Sequence, residues 1–305
     1  MRRLRRYAAL PRRALAYSSS QRRASDGPPI FIVGCPRSGT TVMREILDSH
    51  SRIACPGETW FLAGLFEQLR NPFFIRGLAS LGIQREEAVA NIREFALNNF
   101  ERFLYREGKA RWADKTPGYV DYAPQIFAVF GDVRFVFLMR HGLDVVNSMH
   151  DHQEIDGVKW FDHLLSAVSE QGGGLGSGGA GGDRLSRLKM AARMWIRHNE
   201  NFHAFMAKHP SLCHVVRYED LTTRPEPVVR GVLEFLGEPW EPRILDYQSF
   251  PHSGLGDPEV RKFESIQPNS GNYRSWPPEE QATIRELLAG HLQRYSYTDT
   301  AATGA

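Results

Sequence analysis

The sequence contains no run of about 20 apolar residues, the length that a membrane-spanning helix needs. It has three cysteines in 305 residues, at positions 35, 55 and 213, and eleven histidines, and none of them follows the spacing of a metal site. These absences predict a soluble protein with three reduced thiols, without a disulfide framework and without a zinc or other metal centre.

Acidic residues are absent from the first 25 residues, which contain eight arginines. An arginine-rich, serine-containing segment of this kind is typical of an organellar transit peptide, but a disordered basic tail or an overextended reading frame has the same composition. The cytoplasm and an organelle both stay open as the location. Without those eight arginines, the 38 basic residues fall to 30, against 35 acidic ones. The remaining chain is acidic and has no stripe of basic and aromatic residues, so nucleic-acid binding is not predicted.

Residues 34–41 read GCPRSGTT and follow an apolar run, Pro29 to Val33, that predicts a short buried strand. A strand, a glycine-flanked turn and a helix build an anion cradle, because N–H groups and the positive end of the helix dipole converge there. The glycines are spaced as in the nucleotide loop G-x-x-x-x-G-K-[ST], but Thr40 stands in the place of its lysine. The cation is Arg37, which can fork around one phosphate or sulfate group. The loop therefore predicts a site for a phosphoryl-like anion and not for a triphosphate.

Another buried strand is predicted at Val133 to Met139, and Arg140 follows it directly, with Ser148 eight residues further on. Ligands of open parallel sheets bind at the carboxyl ends of the strands, so Arg140 and Ser148 are expected to face a ligand there. A ligand with two separate anionic ends would use this site as well as the glycine-flanked loop. One such ligand is 3′-phosphoadenosine 5′-phosphosulfate (PAPS), which has a phosphosulfate and a phosphate on opposite sides of its ribose.

Strand and helix patterns alternate along the chain, which predicts an α/β fold: a three-layer, P-loop-like parallel sheet with helices on both faces. The predicted strands comprise residues 29–33, 51–55, 133–139 and 211–216. The predicted helices comprise residues 42–50, 60–70, 84–105, 160–170, 184–208, 225–236 and 277–292. We expect a basic segment at residues 1–28, one domain over 29–297 and a tail at 298–305. Residues 171–182 contain eight glycines and predict a flexible surface insertion rather than an active-site lid.

The quoted motifs together resemble those of one enzyme family. Residues 36–44 (PRSGTTVMR), residues 57–59 (GET), the pair of Arg140 and Ser148, and residues 218–221 (YEDL) are similar to the PAPS-dependent sulfotransferases. Within that family they are most similar to the tyrosylprotein sulfotransferase branch and its bacterial and algal relatives. The resemblance covers about residues 29–297. It implies the sulfotransferase fold and metal-free transfer of a sulfuryl group from PAPS to a hydroxyl acceptor.

The resemblance also implies which residues bind the donor. Residues that would hold the 5′-phosphosulfate are Arg37, Ser38, Gly39, Thr40 and Thr41. Arg140 and Ser148 would bind the 3′-phosphate. Tyr218 would lie beside the nucleotide, and packing in the core is the alternative for it. In residues 270–276, either Ser270 or Arg274 would close on the donor, and the sequence does not distinguish them.

Three residues are expected to be catalytic: Glu58, Lys115 and Arg37. Glu58 would be the general base that takes the acceptor's proton, and the alternative is a carboxylate that caps the following helix. Lys115 would stabilise negative charge at the bridging oxygen of the phosphosulfate, with Asp114 as a simple ion-pair partner. Arg44 matches the family loop, and an ion pair within the structure is the other interpretation for it.

The acceptor is less well defined by the sequence than the donor. A tyrosyl phenol fits the matched motifs, while a small-molecule alcohol fits the absence of the N-terminal membrane span that tyrosylprotein enzymes have. A homodimer stays open. Two other functions are kept as alternatives: a nucleotide kinase or NTPase with an atypical loop, and a nucleotide-binding module without activity.

Overall fold

A five-stranded parallel sheet forms the centre of the protein in the computed structural model, which describes residues 22–156, 183–252, 266 and 268–297. Its strands are β1 (Ile30–Gly34), β2 (Ile53–Ala54), β3 (Arg111–Lys115), β4 (Arg134–Met139) and β5 (Cys213–Arg217). They lie in the order β2-β3-β1-β4-β5, and each neighbouring pair is parallel. The predicted parallel α/β fold is confirmed.

Helices pack on both faces of the sheet. The α-helices are α1 (Thr40–Asp48), α2 (Phe61–Arg70), α3 (Pro72–Ala79), α4 (Arg85–Glu107), α5 (Ala123–Phe130), α6 (Gly142–Asp156), α7 (Arg184–Met206), α8 (Tyr218–Thr223), α9 (Pro225–Leu236) and α10 (Pro278–Arg294). Short 3₁₀ helices cover Pro117–Tyr122, Pro210–Leu212, Pro242–Ser249 and Asn272–Ser275.

Side chains of the central strands alternate between two hydrophobic cores. Phe31 and Phe135 belong to the core beneath α4, α5 and α7, while Ile32 and Val136 belong to the core beneath α1 and α9. All four side chains are fully buried. Strands β1 and β4 therefore read as continuous apolar runs, because helices cover both faces of a parallel sheet.

The carboxyl ends of all five strands meet at one edge of the sheet. Predicted site residues at this edge are Arg37 after β1, Glu58 after β2, Lys115 at the end of β3, Arg140 after β4 and Tyr218 after β5. The strand order runs from β1 to β3 and β2 on one side, and to β4 and β5 on the other. Ligands of open α/β sheets bind where the order reverses in this way, so the turn after β1 lies at the centre of the expected site.

Strand β3 is not predicted by the sequence pattern. Its five residues, RWADK, include three charged ones, yet all five are buried. Arg111, for example, donates to the carbonyls of Pro28 (2.8 Å) and Leu236 (2.6 Å) and pairs with Glu238 (3.2 Å). Charged side chains are tolerated inside a protein when they are paired in this way, and a hydrophobic pattern cannot reveal that.

Other elements differ from the prediction in their bounds. Helix α1 begins two residues earlier than predicted, because Gly39 takes a left-handed backbone and starts the helix directly at Thr40. Helix α3 is not predicted by the sequence pattern. It begins where α2 ends at Asn71, whose side chain accepts hydrogen bonds from the N–H groups of Phe73 and Phe74. Helix α9 and its end at Gly237 match the prediction. The predicted helix at 160–170, the glycine-rich insertion, the tail and most of the basic segment lie outside the described residues.

The three cysteines are free, with Cys35 and Cys55 buried and Cys213 half-buried. No helix in the described ranges is both long and apolar enough to cross a membrane. Over the same ranges, no cluster of three or more histidine, cysteine or carboxylate side chains is arranged to hold a metal ion.

Candidate active site

The turn between β1 and α1 presents a helix N-terminus at the sheet edge. Gly39 precedes α1 with a φ of 93°, and the first helical turn has neither a side-chain cap nor an acidic residue. The first N–H groups of a helix have no partner within it, so those around Thr40 and Thr41 are suited to an anion. Arg37 has a φ of 70°, which few residues other than glycine adopt. Backbone strain of this kind is typical of binding sites.

Arg37 connects this turn to β4 and α6. Its carbonyl accepts a hydrogen bond from Arg140 Nη1 (2.8 Å), and its own Nε donates to Ser148 Oγ (3.0 Å). The predicted residues for the two anionic ends of the donor are therefore brought together, with Arg37 between Arg140 and Ser148.

Two buried polar atoms at this place have no hydrogen-bond partner within the described part of the chain. They are Ser38 Oγ, on a fully buried residue, and Arg140 Nε, on a residue that is 5% exposed. Nearly all buried polar atoms in proteins are hydrogen-bonded, so these two donors have capacity for a ligand. Oxygens of a phosphate or sulfate group would accept from both, and the residues present therefore fit an anionic donor.

Tyr218, the first residue of α8, packs under the anion-binding turn. The Arg140 guanidinium lies 4.4 Å from the centre of its ring, and a Cβ added to Gly39 would stand 2.6 Å from its Cδ2 atom. Glycine at position 39 is thus required by the ring as well as by the positive φ. Tyr218 is 7% exposed, and burial raises the pKa of its phenol. Tyr218 packs directly beneath the predicted donor site, and its place beside the nucleotide stays a prediction.

Residues 269–276 are docked against β4 and α6. The carbonyl of Asn269 accepts from Arg140 Nη2, Gly271 N donates to Asp144 Oδ1 (2.6 Å), and Trp276 Nε1 donates to Asn147 Oδ1 (2.6 Å). Arg274, one of the two candidates for donor closure, lies 5.7 Å from the centre of the Tyr273 ring. The segment adjoins the site through Asn269 rather than through either predicted side chain.

Glu58 forms a half-buried ion pair at the other side of the edge. Its Oε1 accepts from Lys115 Nζ (2.8 Å) and its Oε2 from Trp60 Nε1 (2.9 Å). Glu58 keeps 24% of its side chain exposed, whereas Lys115 keeps 2%. Helix α2 has Trp60 as its N-terminal cap residue and no side-chain cap, so the alternative in which Glu58 caps this helix is wrong. The carboxylate is held and partly open to solvent, as a group that contacts a substrate must be.

Asp114 does not pair with Lys115, contrary to the sequence-based expectation. Its carboxylate accepts from Thr116 Oγ1 (2.8 Å) and from Thr59 Oγ1 (2.6 Å). Thr59 N also donates to Thr116 Oγ1 (3.1 Å). These bonds fasten the segment that carries Glu58 to the end of β3. Burial is the main cause that raises the pKa of Asp114 to about 7.

Arg44 has the structural role that was one of its two interpretations. It is fully buried, its Nη1 lies 3.9 Å from Glu45 Oε1, and its Nε donates to the carbonyl of Cys55 (3.3 Å). Arg44 therefore braces α1 against the end of β2.

Several residues of the site are not recognisable from sequence. Trp60 and Asp114 contact or fasten the Glu58 segment, and Asn269 and Asp144 anchor the segment that closes the other side. For two of them the sequence offers one signal, which is their place next to a predicted site residue. Trp60 follows Glu58 by two residues, and Asp114 directly precedes Lys115.

Comparison with known proteins agrees with this geometry. The model of the sulfotransferase family matches residues 28–242. The chain belongs to the sulfotransferase family. It is 27% identical over 243 residues to the protein-tyrosine sulfotransferase of Drosophila melanogaster. That alignment covers 76% of this chain but 42% of the fly protein, so the chain spans less than half of this relative.

Solved structures of sulfotransferases share the fold. The sulfotransferase domain of the Synechococcus PCC 7002 olefin synthase superposes with a TM-score of 0.56 at 21% identity, covering 88% of this chain and 96% of that domain. A mouse sulfotransferase complexed with PAP superposes with a TM-score of 0.50 at 12% identity, covering 90% and 87% of the two chains.

The buried carboxyl of Asp114 predicts a pH-dependent stability. Its folded-state pKa of about 7 lies above the value of about 3.9 for an unfolded aspartate, so the folded protein favours the protonated form. The resulting stabilisation is full below about pH 4 and is lost as the pH rises through 7. The difference in unfolding free energy between the wild type and Asp114→Asn should therefore fall by up to ~1.4 kcal/mol for each pH unit between about pH 4 and pH 7.

Urea denaturation of both proteins between pH 4 and 8 measures this difference. Asp132→Asn, the same substitution at a side chain that is 66% exposed, is the control for the loss of a carboxylate as such. If the unfolding free energies of the wild type and of Asp114→Asn changed with pH in the same way, burial would not raise the pKa of Asp114.

Proposed function

We propose that the protein transfers a sulfuryl group from PAPS to a hydroxyl acceptor and releases adenosine 3′,5′-bisphosphate. One observation carries the proposal: an anion-binding turn and a Lys–Glu pair lie at the same edge of the sheet. Strands β1 and β3 are neighbours, and Ile32 aligns with Lys115, so the Glu58–Lys115 pair lies next to the last residues of β1, which lead into the turn. Family membership supplies the reaction class, and the site supports the donor and the roles of the residues.

The donor would bind with its two anionic ends on either side of Arg37. The helix N-terminus, the Ser38 hydroxyl and the backbone of Gly39, Thr40 and Thr41 suit the 5′-phosphosulfate. Arg140 and Ser148 suit the 3′-phosphate, because both already contact Arg37. The unpartnered Ser38 Oγ and Arg140 Nε are the donors that such a ligand would use.

The reaction needs a base for the acceptor and a cation for the leaving group. The acceptor oxygen forms a bond to sulfur while the bond between sulfur and the bridging oxygen breaks, and the electron pair stays on the leaving phosphate. Glu58 accepts the acceptor's proton, since its carboxylate is partly exposed. Lys115 and Arg37 offset the charge that develops on the phosphate.

Glu58 and Lys115 are paired with each other before any substrate is involved. The pair keeps the buried ammonium compensated, because an unpaired charge in the interior is costly. It also fixes the position of the carboxylate, because Lys115 Nζ donates to Glu58 Oε1 (2.8 Å). The fly relative is named a protein-tyrosine sulfotransferase, which supports a phenolic hydroxyl as acceptor; a small-molecule alcohol presents the same group.

Glu58→Gln tests the role of the base. The amide cannot take a proton, so kcat should fall on the order of 100-fold or more. The affinity for adenosine 3′,5′-bisphosphate should stay unchanged, since Glu58 does not lie in the anion-binding turn. Glu67→Gln, a substitution of the same type on α2, is the control. Equal losses of turnover and bisphosphate affinity in Glu58→Gln would mean that Glu58 is structural.

Ser148→Ala tests the site of the 3′-phosphate. Loss of a hydrogen bond to a charged group should weaken binding of adenosine 3′,5′-bisphosphate by about tenfold. Adenosine 5′-phosphosulfate, which lacks the 3′-phosphate, should bind the variant and the wild type with similar affinity. Calorimetric titration with both ligands measures the contrast. A similar loss for both would place the 3′-phosphate elsewhere.

A further inference from the structure

We propose that Trp60 selects the acceptor, and that the site prefers a hydroxyl attached to a planar aromatic ring directly or through one carbon. The ring would stack on the exposed indole while its hydroxyl reaches Glu58. This inference rests on the proposed function, because it requires Glu58 to be the group that the acceptor approaches. Nothing in the motifs of the sequence assigns a role to Trp60.

Trp60 is held in a tight and strained turn. Its φ is 54°, and the N–H of Phe61 donates to the carbonyl of Thr59 (2.6 Å), which closes a three-residue turn around it. Such turns with positive φ are rare, especially for a bulky residue. Strained backbones persist where their surroundings determine them, and they are concentrated at ligand sites.

The residues on both sides of Trp60 are hydrogen-bonded to the segment from Asp114, in β3, to Tyr119. Before it, Thr59 is bonded to Thr116 and Asp114. After it, Leu62 N donates to the Tyr119 hydroxyl (3.1 Å). Three hydrogen bonds thus fix the turn that carries this one tryptophan. Core packing does not explain this arrangement, since Trp60 is 38% exposed.

The indole contacts the protein through its N–H and through the edge of its six-membered ring. Nε1 donates to Glu58 Oε2 (2.9 Å), and a Cβ on Gly118 would stand 2.8 Å from Cη2 at the ring edge. Tyr119 meets the ring in a T-shaped arrangement at 6.2 Å. Among the described residues no aromatic ring stacks parallel on Trp60, so stacking surface remains next to the carboxylate of Glu58.

This arrangement favours an aromatic acceptor over a saturated one. A saturated ring can remove apolar surface from water, but a planar ring can also stack, which is a separate contribution of aromatic pairs. The indole N–H fixes the second oxygen of Glu58 in either case. Trp60 therefore has two separable actions: its ring discriminates between acceptors, and its N–H orients the base for all of them.

Two variants of Trp60 and a matched pair of acceptors separate these actions. Trp60→Phe keeps an aromatic ring and removes the N–H, whereas Trp60→Leu removes the ring. Benzyl alcohol and cyclohexylmethanol are both primary alcohols on a six-membered ring, one planar and one puckered. With PAPS as donor, the measured quantity is the ratio of their kcat/KM values. The wild type should prefer benzyl alcohol.

The expected result is a ratio that falls about tenfold in Trp60→Leu and changes by less than about threefold in Trp60→Phe. Trp60→Phe should lower kcat for both alcohols alike. Phe73→Leu is the control for loss of an exposed aromatic side chain, since Phe73 is 76% exposed on α3, and its ratio should equal that of the wild type.

A wild type without preference for benzyl alcohol, or a Trp60→Leu variant with the wild-type ratio, would overturn the inference while leaving sulfuryl transfer intact. Transfer to aliphatic hydroxyls with none to benzyl alcohol would overturn it as well. Failure of the wild type to transfer to any hydroxyl would instead reject the proposed function, and this inference with it. Thermal stabilisation of each variant by adenosine 3′,5′-bisphosphate shows that the donor site is intact in every comparison.

Discussion

One buried guanidinium holds the two halves of the proposed donor site together. Arg140, which directly follows β4, donates to the carbonyl of Arg37 in the turn after β1 and to the carbonyl of Asn269. Its plane covers the ring of Tyr218, which in turn packs against Gly39. The three contacts define the shape of the anion-binding turn, and the remaining Nε stays available for a ligand. Burial lowers the pKa of Arg140, but an arginine stays charged in proteins, so the turn always has a cation beneath it.

The acceptor side depends on a different constraint. There the end of β3 supplies Asp114, Lys115 and Thr116, which position Thr59 and Glu58 through hydrogen bonds and an ion pair. Because β3 lies between β1 and β2 in the sheet, these groups stand beside the anion-binding turn. The fold thus brings the proposed anion-binding turn and the Glu58 carboxylate together from segments that are far apart in sequence. Strand β3, which does this, has charged residues at three of its five positions.

The sequence predicted those parts of the fold whose stability comes from apolar burial or from glycine geometry. Strands β1 and β4, the Gly39 turn and helix α9 with its end at Gly237 could be predicted because each depends on local pattern. Strand β3 could not, since its charges are compensated by Glu238 and Glu58, which are distant in the sequence. Motifs predict Arg37, Arg140 and Glu58 as candidate site residues, and the fold places them at one sheet edge. The contacts of Trp60 and Asp114 could not be predicted, because only the folded chain makes them.

The central claim is that the anion-binding turn takes a donor of the PAPS type rather than a nucleoside triphosphate. The most direct measurement is a thermal-shift titration with adenosine 3′,5′-bisphosphate, compared with ATP and Mg²⁺. A ligand that binds the folded state stabilises it by RT ln(1 + [L]/Kd), so the melting temperature rises with concentration for a true ligand. The account predicts strong stabilisation by the bisphosphate and little by ATP with Mg²⁺. The reverse result would contradict it and favour a nucleotide kinase or NTPase.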